Sequence, residues 1–231
     1  MDLNDIDLSD VASLKNVKTG TVQGIPILPA TWFQVNKSLL GPGAILDGAD
    51  LKDADLTSKN LTDVDFRGAD LYNAKTGSII GTPDHTPENW IYLPQSNALI
   101  GKGADLSNGN LSTTQNLEKV DFTETNLNNT DLSGTNLSEA VLINAKTGRI
   151  TGTPAILPGV EWHQRGRALI GPNVDLVDAD LNDEDLNDIN FSTVSLAGAK
   201  TGSIIGTPSN LPENWSKIKN SLIGPGADLT G

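Results

Sequence analysis

Few side chains in this sequence can carry covalent or metal chemistry. There is no cysteine, which removes thiolate nucleophiles, thiolate metal sites and any disulfide framework. The two histidines, His85 and His163, sit in matched segments but at different offsets from the neighbouring tryptophan, and both read as surface residues. The patterns G-x-S-x-G, H-E-x-x-H and the phosphate-binding P-loop are missing. An active site needs a nucleophile, a base and an orienting group that converge. The expectation is therefore a protein that is not an enzyme, with no catalytic, cofactor-binding or metal-binding residue and no cofactor.

Two recurring features remain. Aspartate or asparagine returns at regular intervals, as at Asp50, Asp55, Asn60, Asp65 and Asp70. A stack of such carboxylates could attract Ca²⁺, but the G-G-x-G-x-D nonapeptides of calcium-binding β-rolls are absent. The row reads instead as a solvated acidic surface, partly satisfied by side-chain bonds to turn backbone. The second feature is tryptophan. Trp32, Trp90, Trp162 and Trp215 could each stack on a sugar or another ring; the simpler reading is a local core, and all four are candidate partner contacts. The glycine-rich stretch Gly41–Gly43 and its copies read as turn formers.

The charge balance limits the partners. The 231 residues carry a net charge of −13 and the isoelectric point is near 4.4. That argues against direct contact with nucleic acid or anionic lipid. No apolar run approaches the roughly 20 residues of a membrane span. The acidic start, Met1–Asp10, lacks a charged leader and apolar core, so the sequence carries no secretory signal and fits a cytoplasmic compartment if the chain is complete.

The elements that must position these residues follow an unusual period. Leu46, Leu51, Leu56, Leu61, Phe66 and Leu71 recur every five residues. Leu106 and Leu111, then Leu117, Phe122, Leu127, Leu132, Leu137 and Leu142 form a second tract, and Leu176, Leu181, Leu186, Phe191 and Leu196 a third. Two residues before most of them is a small side chain, such as Ala49, Ala54, Ala69 or Ala179. Five matches neither the 3.6 residues of a helical turn nor the two of a strand. It fits a chain that turns a corner every five residues, pointing the large and the small residue inward because alternate residues of an extended segment share a face. The six-residue step from Leu111 to Leu117 predicts a bulge within Ser112–Asn116.

This A-(D/N)-L-x-x pattern, clearest in GADLKDADLTSKNLTDVDFRGADL and VDFTETNLNNTDLSGTNLSEAVL, resembles the pentapeptide-repeat family. The resemblance implies an all-β, right-handed quadrilateral β-helix. The expected organisation is one β-helix over residues 1–231, with repeat tracts at 44–75, 104–146 and 174–200. The expected core is Leu51, Leu56, Leu61, Phe66, Leu71, Leu117, Phe122, Leu127, Leu132, Leu137, Leu181, Leu186, Phe191 and Leu196.

Between the tracts lies a longer repeat: Lys-Thr-Gly, then Gly-x-Pro, a second proline, one tryptophan, and Leu-Ile-Gly or Leu-Leu-Gly. It is expected to form β-hairpin inserts over 18–43, 76–103, 147–173 and 201–226, with Thr19, Thr76, Thr147 and Thr201 taking the place of an inward leucine. Counting five-residue sides predicts that the inserts leave from at least two faces.

The resemblance implies a non-catalytic binding or scaffold protein with a protein partner, here within a larger protein or assembly, or stacked end to end with copies of itself. Inserts of this type look similar to ones in cyanobacterial members. Some members inhibit or protect DNA gyrase as acidic mimics of duplex DNA, and the negative charge suits that alternative. A carbohydrate-binding or adhesin β-helix, reading sugars at the tryptophans, is the third.

Overall fold

The computed structural model describes residues 2–112 and 116–230. The central part of the six-residue step, where a bulge is expected, lies outside the described residues. No helix occurs among the described residues, and none is long and apolar enough to cross a membrane.

The five-residue period is realised as single parallel β-bridges. Ile45 pairs with Asp65, Asp50 with Asp70, Asp55 with Lys75 and Asn60 with Ile80. Each bridge joins residues 20 apart, so four five-residue steps complete a coil and the next coil stacks on it. The corner chemistry is local. Asp50 Oδ1 accepts the N–H of Lys52 at 3.2 Å, and the N–H of Ala54 donates to Leu51 O at 3.1 Å. Asp53, between them, has φ 58°. Aspartate, asparagine and glycine tolerate this left-handed conformation best, and so fill most such corners. Where Asp or Asn precedes the large inward residue, as at Asp50, Asp55, Asn60, Asp65 and Asp70, its side chain therefore braces the turn that follows.

The chain divides into two compact units, Met1–Asp105 and Leu106–Gly231. In the first, the column Lys18, Ile45, Asp65, His85 is joined by successive bridges, as is the column Asp55, Lys75, Asp105. Its core is a cluster of Leu46, Leu51, Leu56, Leu61, Phe66 and Leu71 with Ala44, Ala49, Ala54 and Ala74. In the second unit the columns are Asn126, Lys146, Asp175, Ser195 and Asp180, Lys200, Asp228. There Leu117, Phe122, Leu127, Leu132, Leu137, Leu181, Leu186, Phe191 and Leu196 are buried. Alternating large and small inward residues suit a narrow axis, because a wide residue at both positions would overfill it.

Each insert contributes one antiparallel pair of three-residue strands: β1 (Phe33–Val35) with β2 (Ser38–Leu40), β3 (Ile91–Leu93) with β4 (Ala98–Ile100), β5 (His163–Arg165) with β6 (Ala168–Ile170), and β7 (Ser216–Ile218) with β8 (Ser221–Ile223). Asn36, Gly166 and Lys219 open the two-residue connections of β1–β2, β5–β6 and β7–β8 with positive φ. Such turns match the right-handed twist of the flanking strands. An insert does not break the coil count. Lys75 pairs directly with Asp105, Lys146 with Asp175 and Lys200 with Asp228, so each insert completes one turn of the coil before the next repeat begins.

Candidate functional site

The inserts are the irregular surface on an otherwise periodic molecule, and a threonine roots each of them. Thr76 replaces the inward leucine and is fully buried. Its N–H donates to Asp105 O on the next coil, and its carbonyl accepts the N–H of Leu99 at 3.1 Å. Its hydroxyl donates to Leu99 O at 2.7 Å. The same hydroxyl bond, at the same 2.7 Å, joins Thr19 to Leu39, Thr147 to Leu169 and Thr201 to Leu222. An inward leucine could not do this. The second strand of the insert is pressed against the coil, and its buried carbonyl needs a donor. Threonine supplies that donor from the inward position.

The tryptophans close the other side. A Cβ built on Gly101 would lie 2.3 Å from Trp90 Cδ2, 2.4 Å from Cγ and 2.5 Å from Cε2. Trp32 over Gly41, Trp162 over Gly171 and Trp215 over Gly224 give nearest distances of 2.3, 2.2 and 2.2 Å. One indole face thus rests on glycine backbone in every copy. The first glycine of the stretch has a second task beside the turn, in which Gly41 O, Gly101 O and Gly224 O accept the N–H of Ala44, Ala104 and Ala227. Gly41, Gly101, Gly171 and Gly224 leave room for a ring, and Gly43, Gly103 and Gly226, with φ near 72°, supply the left-handed corner. Trp32 and Trp90 also pack against the coil core.

A third tie holds the first strand. Gln34 Nε2 donates to Gly24 O at 3.0 Å, Tyr92 Oη to Gly81 O at 3.2 Å and Gln164 Nε2 to Gly152 O at 2.9 Å. The sequence reading missed this tie. Its only signal is a hydrogen-bonding side chain two residues after the tryptophan, with Lys217 in the fourth copy.

The two strands of an insert differ sharply. The second strands read SLL, ALI, ALI and SLI, and β2, β4 and β6 are buried at every residue. The first strands read FQV, IYL, HQR and SKI and are half-buried or exposed. Inserts also leave from different columns. Lys18 and Lys75 lie two five-residue steps apart around the coil of the first unit, and Lys146 and Lys200 one step apart in the second.

The acidic surface is largely committed to its own corners. Thr57 holds the Asp55 carboxyl below the usual carboxylate range by hydrogen bonding, and Ser133 does the same for Asp131. Lys52 and Asp70 pair at 3.0 Å, Lys15 and Asp63 at 2.8 Å and Lys18 and Asp47 at 2.7 Å. Among the described residues, no group of three or more His, Asp and Glu side chains is arranged to hold a metal ion. His85 is exposed beside Asp84, and His163 lies on β5, where burial and then Arg165 lower its pKa. They fall in different units.

Stacked parallel bridges around an apolar axis define the chain as an all-β repeat protein of the β-helix type. A family model described as pentapeptide repeats matches residues 44–75 and 116–146, in eight copies. The chain carries pentapeptide repeats over those stretches. No curated protein matches the sequence. Among solved structures it is similar to full-length QnrB1, a plasmid-mediated fluoroquinolone resistance protein. That similarity is at 11% identity over 81% of this chain and 84% of the other, with a TM-score of 0.24.

Proposed function

We propose that this protein is a non-enzymatic scaffold and protein-binding module, built as a right-handed quadrilateral β-helix that displays β-hairpin inserts within a larger assembly. Tracts 44–75, 104–146 and 174–200 form the frame; inserts 18–43, 76–103, 147–173 and 201–226 form the display. One observation carries this reading. Within a single chain, the buried second strand of the insert is nearly invariant while the half-buried or exposed first strand differs in every copy. Packing constrains the first, and nothing in the fold requires the second to vary. A frame that repeats its root and varies its outer strand suits contact with one or more partner proteins at separate positions.

The test uses the full chain as bait against extracts of its source cells. Ile91→Ser, His163→Ser and Ile218→Ser alter outward strands without touching the roots. Asp50→Asn and Asp180→Asn alter the coil faces. A partner retained by the coil-face variants and lost with the insert variants supports the scaffold reading. Retention unaffected by the insert variants overturns it. The net charge of −13 favours a second reading, an acidic mimic of duplex DNA that occupies the DNA-binding surface of gyrase or another topoisomerase. Loss of supercoiling activity on adding the wild-type chain, relieved by the aspartate variants, would replace the first reading with the second.

A further inference from the structure

Two inserts line a cleft with their tryptophan: Trp32 does so with Lys15 and Pro29, and Trp90 with Tyr72 and Pro87. Trp90 has one face on Gly101, and its remaining exposed surface lines a cleft of about 390 Å³ with Tyr72 and Pro87. Tyr72 is 45% exposed, and its ring lies over Gly103, where an added Cβ would be 2.4 Å from Tyr72 Cδ2. Asp70, Glu88 and Lys102 complete the rim. The corner residue after Tyr72, Asn73, donates its N–H to Gly103 O. The equivalent bonds of Asn16 to Gly43, Asn144 to Asn173 and Gly198 to Gly226 place Lys15, Ile143 and Ala197 where Tyr72 stands. Of these four equivalent positions only Tyr72 is aromatic, and it brings a second ring to the Trp90 cleft.

We propose that this cleft binds the ring of a neutral sugar, a pyranose. The aromatic and proline surfaces offer an apolar platform for the C–H face of a sugar ring. The volume lies within the usual range of small-ligand sites, which combine apolar walls with a few placed polar groups. The rim decides the ligand class. A free cation would face the Lys102 ammonium, and a free anion would face Asp70 and Glu88. A polyol donates to the carboxylates and accepts from the ammonium, so it satisfies both signs at once. Asp70 also pairs with Lys52 and accepts the N–H of Tyr72. A carboxylate has about four lone-pair positions, which leaves capacity for a sugar hydroxyl. This site is independent of the scaffold reading, because it needs no protein partner.

Isothermal titration of the full chain with methyl β-D-glucoside, methyl β-D-galactoside, cellobiose and N,N′-diacetylchitobiose tests it. At least one probe should bind with a dissociation constant on the order of 1 mM or tighter. Tyr72→Phe should keep the affinity and Tyr72→Ala should weaken it about tenfold, since a stacked ring is worth roughly that factor. Both variants should melt like the wild type, as Tyr72 lies outside the core. Heat from no probe up to about 10 mM overturns the proposal. So does unchanged affinity in Tyr72→Ala, or binding of a proline-rich peptide in the same cleft with no sugar bound.

Discussion

Replacing Thr76 by valine isolates the root of an insert. The two side chains have nearly the same shape, so the coil keeps its width, and only the hydroxyl is lost. Leu99 has its N–H and C=O turned towards the coil, and both end on Thr76. Leu99 is fully buried, so water cannot replace the missing donor. An unpaired buried carbonyl costs about 1–3 kcal/mol. The methyl group that takes the place of the hydroxyl returns up to about 0.8 kcal/mol. With the full return the net loss is about 0.2–2.2 kcal/mol, centred near 1 kcal/mol, or about 2–4 °C in melting temperature at this chain length. Urea unfolding should show a lower midpoint with an unchanged slope. Thr76→Ser, which keeps the donor and loses a methyl, should cost no more than about 1 kcal/mol. A valine variant as stable as the wild type would refute the claim that threonine is there for its hydroxyl. The same pair of substitutions at Thr147, bonded to Leu169 in the other unit, should reproduce the result.

Three further outcomes follow from the same geometry. Gly101→Ala should destabilise by about 1–3 kcal/mol through overpacking, with a red shift of tryptophan emission as Trp90 is pushed off its backbone platform; an unshifted spectrum at wild-type stability would contradict the stacking. Ser38 is fully buried with no partner for its hydroxyl, and the matching residues of the next two inserts are Ala98 and Ala168. Ser38→Ala should be neutral or stabilising by up to about 1 kcal/mol in urea unfolding, and a clear loss would mean the hydroxyl has work to do. Asp55, Asp65 and Asp131 have pKa values lowered from 3.8 by hydrogen bonds from Thr57, Arg67 and Ser133. A lowered carboxyl pKa stabilises the fold above the unfolded value and is lost as pH falls through the folded one. Melting temperature should therefore be flat between about pH 7 and 5 and drop below about pH 4, and Asp131→Asn should make that drop shallower.

The repeat itself was legible because it is written in adjacent residues. The interval from Leu51 to Leu56, the small Ala54 and the Asp50 corner all lie within one short stretch, and each acts on its own neighbours. A local rule of this kind needs no knowledge of what is packed beyond it. Each insert is marked just as locally, by a tryptophan, a polar turn and an apolar end. What the sequence alone left undecided depends on residues far apart in the chain. The hydroxyl of Thr76 matters because Leu99, 23 positions later, is folded back onto it. Gly101 differs in purpose from Gly103, although both sit in one short motif, because a ring from Trp90 lies on the first and a corner bends at the second. The Tyr72–Trp90 cleft is likewise made by stacking one coil on the next. Periodicity fixes where each side chain points within a coil; only the closure of coils and inserts decides what it meets there.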